Sequence, residues 1–519
     1  LCQLHPTRRK RSDVSKLTAS ALGDRHVPRA IEAKMMMNSM LCTTATGPRA
    51  LPARIATQKP TSRASRIRCL RCAKAVLRPG VHWPVRVAPR CASVGMATSP
   101  IGDIPPFLLS NEPGTWAYDT MSRRVRENIL EPTIADNEFN EESSAKLEAL
   151  RQELLNATST KLRDIEDDGG PDVPTWKEIM TPYTGNNTWL DAPWCVTEFY
   201  MYRRIMEAIG YFNPESDHFG LDPFQSTKTK GLESAMASSD ALAERSNAIA
   251  DQGANMRRDE LEAELKLSVL IALWGNRMDL SLWSGGERAA GAMALAASSE
   301  DGKSMLLCDH SEAVCASLLA KMSGGHRVDI IVDNAGFELV TDLCLADFLV
   351  TSGIASSVVF HLKSHPTFVS DAMSKDVMDT VDYFANADVA NHPNTPAMGA
   401  RWLKYVKDGR WILREDFFWV QPTEMWKMPQ DVVEALQGTT CVFVKGDANY
   451  RRLLGDRHWP LDYPFEKVAA YWPVPVCALR TLKAELGCGM PQDRTAKAME
   501  DDEQWLVNGR YGVVHYFCP

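Results

Sequence analysis

The 519-residue chain has no run approaching the roughly 18–20 consecutive apolar residues that a membrane-crossing helix needs, which excludes an integral helical membrane protein. It has no Asp or Glu between Lys34 and Gly102. That stretch also lacks any sustained helical or strand period. Such a segment cannot bury enough apolar surface to offset its chain entropy, so residues 1–102 are expected to be disordered. They carry 19 Lys and Arg against only Asp13, Asp24 and Glu32, leaving 39 basic and 63 acidic residues for the rest of a chain whose net charge is −8. The acidic body argues against a general nucleic-acid binder. The basic head lacks the interleaved aromatics and folded platform that nucleic-acid binding would use. No nucleic-acid and no membrane partner is expected, and nothing points to a protein partner.

The head does not begin with Met. Its acid-free, Arg-rich composition downstream of Met35, Met36, Met37 and Met40 is that of an organellar transit peptide, which implies a plastid or mitochondrion. A start at Met96 is the equal alternative and implies the cytoplasm. The 13 cysteines form no framework. Cys69 and Cys72 have CxxC spacing, but no second pair completes a zinc site. Cysteines such as Cys441 and Cys477 sit in apolar runs and read as core thiols.

Several catalytic motifs are absent. Gly302-Lys-Ser resembles the end of a P-loop, but position 297 is Ala, so the phosphate cradle is missing. No GxGxxG follows a strand, and there is no GxSxG elbow, no HExxH and no Asp-x-Asp nucleophile motif. There is no internal repeat.

What is present divides the body at about residue 300. Residues 103–300 read mainly as helix. Glu141–Leu155 and Arg257–Trp274 have helical spacing of apolar residues. Asp191 and Pro193 predict a helix start, with Asp191 as cap and the helix running to about Tyr211. Glu198 falls on that helix's apolar stripe, where a carboxylate needs a partner or a task; Arg203 and Arg204 are the neighbouring candidates. Ala235–Ala254 and Ala289–Ser299 read as loop or weak helix. Residues 301–519 alternate apolar runs with helices, the signature of a mostly parallel, Rossmann-like sheet in a three-layer α/β/α arrangement. The expected strands are Val328–Val332, Ser357–Leu362, Thr440–Val444 and Val474–Leu479, with Ser304–Cys308 and Gly512–Tyr516 as weaker ones.

Chemistry-bearing residues follow the strands. Ligands of open α/β sheets bind outside the carboxyl ends of the strands, so these turns should converge. Asp333, Asn334 and Asp371 supply hard oxygen ligands suited to Mg²⁺ or Mn²⁺. Lys445, Arg451, Arg480 and Lys483 supply cations, and Asn449 and Thr481 neutral donors. A metal facing cations across a cleft fits a phosphoryl group. Gly336 and Gly446 would let backbone N–H groups approach the anion. Singly, Asp333 and Asp447 could each be a helix cap, and His365 an ordinary loop residue.

Three segments, 194–205, 273–281 and 333–348, together with Phe368-Val-Ser-Asp371, Lys445–Asp456 and Arg480-Thr-Leu-Lys483, resemble the metal-dependent damage-control phosphatase family. The Arg-Thr-x-Lys element is similar to its sugar-phosphate branch. The resemblance spans about Thr115 to Tyr516. It implies Mn²⁺, or Co²⁺, Ni²⁺ or Mg²⁺, held by Asp333, Asn334 and Asp371, with Asp333 and Asp371 as the catalytic carboxylates. Asp333 would hold the ion or attack phosphorus. The resemblance implies phosphate and sugar contacts from Asp447, Asn449, Tyr450, Arg451 and Lys483, and a further site carboxylate at Glu338. Glu198 and Asn276, inside the matched segments, are additional candidates. The implied substrates are small sugar phosphates such as fructose 1-phosphate and fructose 6-phosphate. The branch's association with acidic-residue methylation supplies an alternative, an S-adenosylmethionine-dependent protein-glutamate O-methyltransferase.

Overall fold

The computed structural model describes residues 98–275, 300–322 and 325–519. The basic head with its candidate starts and CxxC pair, Asn276, and the Ala289–Ser299 stretch lie outside these residues. Among the described residues seven strands, β1 (Leu306–Asp309), β2 (Arg327–Ile331), β3 (Ser357–Lys363), β4 (Trp411–Asp416), β5 (Thr439–Lys445), β6 (Val476–Thr481) and β7 (Gly512–Phe517), form one sheet. Its order is β1-β7-β6-β5-β2-β3-β4. The central five strands run parallel. β7 is antiparallel to β6, and β1 pairs parallel with β7.

Residue alternation explains why the sheet is covered on both faces. In β5, Val442 and Val444 enter one core cluster and Cys441 and Phe443 the other. A strand buried on both sides reads as a continuous apolar run, which is why β2, β3, β5 and β6 are visible in the sequence. β4 is not. It is an edge strand, Trp411-Ile-Leu-Arg-Glu-Asp416, with one fully buried residue, and three of its six side chains are charged.

Helices form the outer layers. The 103–224 helical part packs into the first cluster with Val442, Val476 and Val513. Helix Trp194–Ile209 is buried along its whole length. Its N-cap position is Pro193, not the expected Asp191, and it ends at Ile209, where Gly210 adopts φ +69°. Asp191 instead accepts a hydrogen bond from the Thr188 N–H, fixing the preceding turn. Ala235–Ala254, expected as loop or weak helix, lies mostly in a 28-residue helix, Gln225–Gln252. Alanine has the highest helix propensity, and Ala235, Met236, Leu242 and Ala243 give this helix a buried face. Among the described residues no helix is long and apolar enough to cross a membrane.

Two buried histidines give the fold an acid limit. Burial pushes His365 down to about 4 and His515 down to about 3, against an ordinary value of 6.5. Both are neutral when folded. Their stability contribution is full above the unfolded value and is lost as pH falls towards the folded ones, on the order of 3 kcal/mol or more each. The melting temperature should therefore fall between pH 6.5 and 4, and His515→Gln should flatten that slope. An unchanged slope would mean that other groups set the acid limit.

Candidate active site

The strand order reverses between β2 and β5: β3 and β4 lie on one side of β2, β5 and β6 on the other. The crevice outside the carboxyl ends of these two strands is where an open α/β sheet takes its ligand. Asp333 leaves β2 there, and Gly446 leaves β5. Gly446 has φ +82°, and a Cβ on it would lie 1.9 Å from Asp333 Oδ2. Only glycine at 446 leaves room for the Asp333 carboxylate. Gly336, at φ +71°, opens helix Phe337–Thr351, whose N-terminus faces the same crevice.

Asp371 arrives from the β3 turn through two non-glycine residues with positive φ, Phe368 at +46° and Val369 at +64°. A β-branched residue in this region is strained, and such strain persists only where packing over-determines it. Here the Phe368 ring packs edge-on against Phe199 at 4.7 Å and at a tilt against Tyr202 at 4.9 Å. The Ala335 N–H donates to Ser370 O at 2.6 Å and the Ala372 N–H to Asp333 O at 2.8 Å. These bonds stitch the two turns together and bring Asn334 opposite Asp371.

The result is a buried negative cluster. Asn334 Nδ2 donates to Asp333 Oδ2 and to Glu338 Oε2, both at 2.8 Å, and Asn334 Oδ1 accepts from Ser370 Oγ at 2.6 Å. Burial, then Glu338, then Asp371 push the Asp333 carboxyl far above the usual carboxylate range. Burial pushes Asp371 up to about 6, opposed by Lys363, whose Nζ lies 3.2 Å from Asp371 Oδ2. That oxygen is buried and accepts no aligned hydrogen bond. A cavity of about 260 Å³ opens beside the cluster, lined by Asn334, Gly336, Glu338, Ser370, Lys228 and Lys483, among others.

The other candidates divide. Lys483 lines the cavity, and its charge opposes the rise of Asp333. Asp447, at the first turn of helix Asp447–Leu453, is not its cap; it accepts from Arg480 Nε at 2.7 Å and from the Lys483 N–H at 3.1 Å. Arg480 also donates to Leu486 O and Ala484 O and lies over the Tyr450 ring. Tyr450 faces His515 Nδ1 at 3.2 Å. Thr481 is buried at the end of β6. Asn449 is committed to Val332 O, Lys445 O and Lys363 Nζ. Arg451 pairs with Asp456 at 2.8 Å and with Glu198 at 2.5 Å. Glu198 thus finds its partner across the fold and not in Arg203 or Arg204, which pair with Asp168, Asp172, Glu153 and Glu207.

Lys445 does not line the cavity. It sits 2.8 Å from Asp342, 3.2 Å from Glu338 and 2.6 Å from Ala272 O. Burial raises Asp342 to about 7 against the pull of Lys445. Lys445→Met removes the cation that these two buried carboxylates share and should cost about 3–5 kcal/mol. Chemical denaturation of the variant measures this; an unchanged midpoint would show that Lys445 is not their counter-ion.

Sequence reasoning passed over Lys363, Lys228 and Ser370. Lys363 ends β3 as Lys445 ends β5, so its position was a usable signal. Lys228 pairs with Asp222 at 3.0 Å and Asp376 at 2.8 Å while lining the cavity; nothing in its local sequence marks it.

With this geometry in place, the model of the damage-control phosphatase ARMT1-like domain matches residues 118–499. The chain belongs to the ARMT1-like damage-control phosphatase family. Damage-control phosphatase ARMT1 of Danio rerio is 34% identical over 448 residues, covering 80% of this chain and 98% of that protein. The Homo sapiens protein of that name is 33% identical over 450 residues, covering 80% and 99%. A solved DUF89 family protein from Pyrococcus horikoshii is 13% identical with a TM-score of 0.42, covering 78% of this chain and 96% of that one. As a member of this phosphatase family the chain is a hydrolase of phosphate esters, and its ARMT1-like segment takes in every described site residue above.

Proposed function

We propose that this damage-control phosphatase is a divalent-metal-dependent phosphomonoesterase acting on small sugar phosphates such as fructose 1-phosphate or fructose 6-phosphate. The observation that carries the reading is the buried trio Asp333, Glu338 and Asp371 beside a cavity lined by Lys228 and Lys483. Clustered buried carboxylates are costly unless a cation or a proton joins them. The buried Asp371 Oδ2, which accepts no aligned hydrogen bond and has Lys363 Nζ at 3.2 Å, and the raised Asp333 carboxyl suit a hard divalent ion. Among the described residues no three His, Cys, Asp or Glu form a ready ligand group. Two carboxylates and an amide suffice for Mn²⁺ or Mg²⁺, which keep waters and take substrate oxygens as remaining ligands. Asp333, Asp371 and Asn334 would hold the ion, and when bound it offsets phosphoryl charge and orients the ester.

The chain's own groups do the rest. Lys483 and Lys228 attract the phosphate, and the first N–H groups of helix Phe337–Thr351 present donors to it. Glu338 keeps Asn334 in place through its hydrogen bond. The turn after β2, Asp333-Asn-Ala-Gly-Phe, lacks the glycine-rich fingerprint that a nucleoside cofactor uses.

The test is phosphate release from a panel of phosphate esters with Mn²⁺, Co²⁺, Ni²⁺ and Mg²⁺, before and after chelation. Ketose phosphates should rank highest, and chelation should remove activity by at least about a hundredfold. Full activity in excess chelator would overturn the metal dependence. Transfer of labelled methyl from S-adenosylmethionine to protein glutamate, without phosphate release, would overturn the proposal.

A further inference from the structure

A second cavity, of about 510 Å³, lies among helix Val173–Met180, the start of helix Trp194–Ile209 and the loop that follows β4. It shares no lining residue with the cavity beside Asp333, and its volume is that of a small-molecule site. Ile179, Val196, Phe418 and four prolines give it apolar walls. The loop after β4 is braced from the core. Asp416 accepts from the Phe418 N–H at 2.8 Å. Buried Arg452 lies 4.3 Å from the Phe418 ring and donates from Nε to Thr423 O at 3.1 Å.

The polar groups of the lining divide by partner. Asp456 accepts from Arg451 Nε at 2.8 Å and from the Cys195 N–H at 2.9 Å. Glu424 lies between Lys427 and Arg457, each at 3.0 Å. These charges are balanced within the protein. Glu178 is exposed at the rim, so an anion would meet a carboxylate there, while Lys427 is engaged by Glu424. Gln421 differs from all of these. It lines the cavity and is only 5% exposed, yet its side-chain amide makes no hydrogen bond among the described residues. An amide buried without a partner costs free energy. It offers an acceptor beside a donor, which matches a second amide or the like edge of a heterocycle. We propose that this cavity is a second ligand site, for a small neutral molecule carrying an amide-type edge on an apolar body, with Gln421 reading that edge.

Benzamide, benzoate and benzamidine share one shape and differ at the edge: acceptor with donor, acceptors with negative charge, donors with positive charge. Ligand-observed NMR titrations of the full chain should show saturable benzamide binding with a Kd of about 1 mM or tighter, within reach of about nine heavy atoms. Benzoate should bind at least about tenfold more weakly, the effect of a buried hydrogen bond left unmade. Gln421→Leu should weaken benzamide by a similar factor, and Gln421→Glu should turn the preference towards benzamidine. Thr423→Trp, which keeps Gln421 but places an indole in the cavity, should block benzamide. Asp371→Ala should leave benzamide binding unchanged. Melting curves check that the variants fold; if Gln421→Leu does not, Gln421→Glu and Thr423→Trp decide. The proposal is overturned if wild type shows no saturable benzamide binding, or if the Gln421 and Thr423 variants bind as wild type does. Loss of binding in Asp371→Ala would also overturn it, by placing benzamide in the phosphate cavity.

Discussion

Asp333→Asn is expected to abolish phosphate-ester hydrolysis while making the metal-free protein more stable. Asp333 is buried, pushed towards protonation by Glu338 and Asp371, and already receives a hydrogen bond from Asn334. Removing its charge relieves repulsion inside the cluster, a gain on the order of 1 kcal/mol. The same change removes the oxygen and the negative charge that the proposed metal would use. The activity loss should reach about a thousandfold or more, as when a principal electrostatic element of a transition state is lost. Melting curves with and without Mn²⁺ separate the two effects. The variant should melt above wild type in chelator. With excess Mn²⁺ the order should reverse, because only wild type gains the full binding energy of the ion. A variant that is both fully active and metal-stabilised would remove Asp333 from the site.

Gly446→Ala is expected to be almost as damaging to activity, although no reacting group is changed. The new methyl would meet Asp333 Oδ2 at 1.9 Å and its carboxyl carbon at 2.0 Å, with φ at +82°. Asp333 must rotate away or β5 must shift. Misplacing a ligand by an ångström costs about a hundredfold, so kcat should fall at least that far. Stability should fall by about 1–3 kcal/mol from backbone strain and displacement. Gly353 is the control. It has a similar φ of +77° and nothing within 4 Å of an added Cβ. Gly353→Ala therefore carries the strain without the clash and should keep full activity. Equal activity losses in both variants would assign the effect to the backbone and not to Asp333.

The sequence revealed most where burial was two-sided. β2, β3, β5 and β6 are apolar runs flanked by polar turns, and the turn residues Asp333, Asn334, Asp371 and Lys483 come together at the switch point as their positions suggest. The expected boundaries of six strands fall within two residues of those observed. β4 escaped because an exposed edge strand has no reason to be apolar. The alanine-rich helix Gln225–Gln252 was only half visible because its small residues read as loop or weak helix, when their size and propensity suit a long helix over the cavity. The cations and the amide were harder to sort. Lys445, Asn449, Arg451 and Arg480 follow strands just as Lys483 does. Yet burial and long-range partners turn the first four into internal counter-ions and braces. Charge at a strand end indicates the edge where the site lies; it does not indicate which side chains face the ligand. That depends on Asp342, Glu198 and Asp447, which only the tertiary fold brings within reach.

Equilibrium binding of Mn²⁺ to the full chain by titration calorimetry, in wild type and in Asp371→Ala, reports whether an ion sits at the carboxylate cluster. Wild type should bind saturably, and the variant should lose that binding or weaken it by at least about a hundredfold. Equal binding by both proteins would contradict the proposed metal site, because the ion would then sit somewhere other than between Asp333, Asn334 and Asp371.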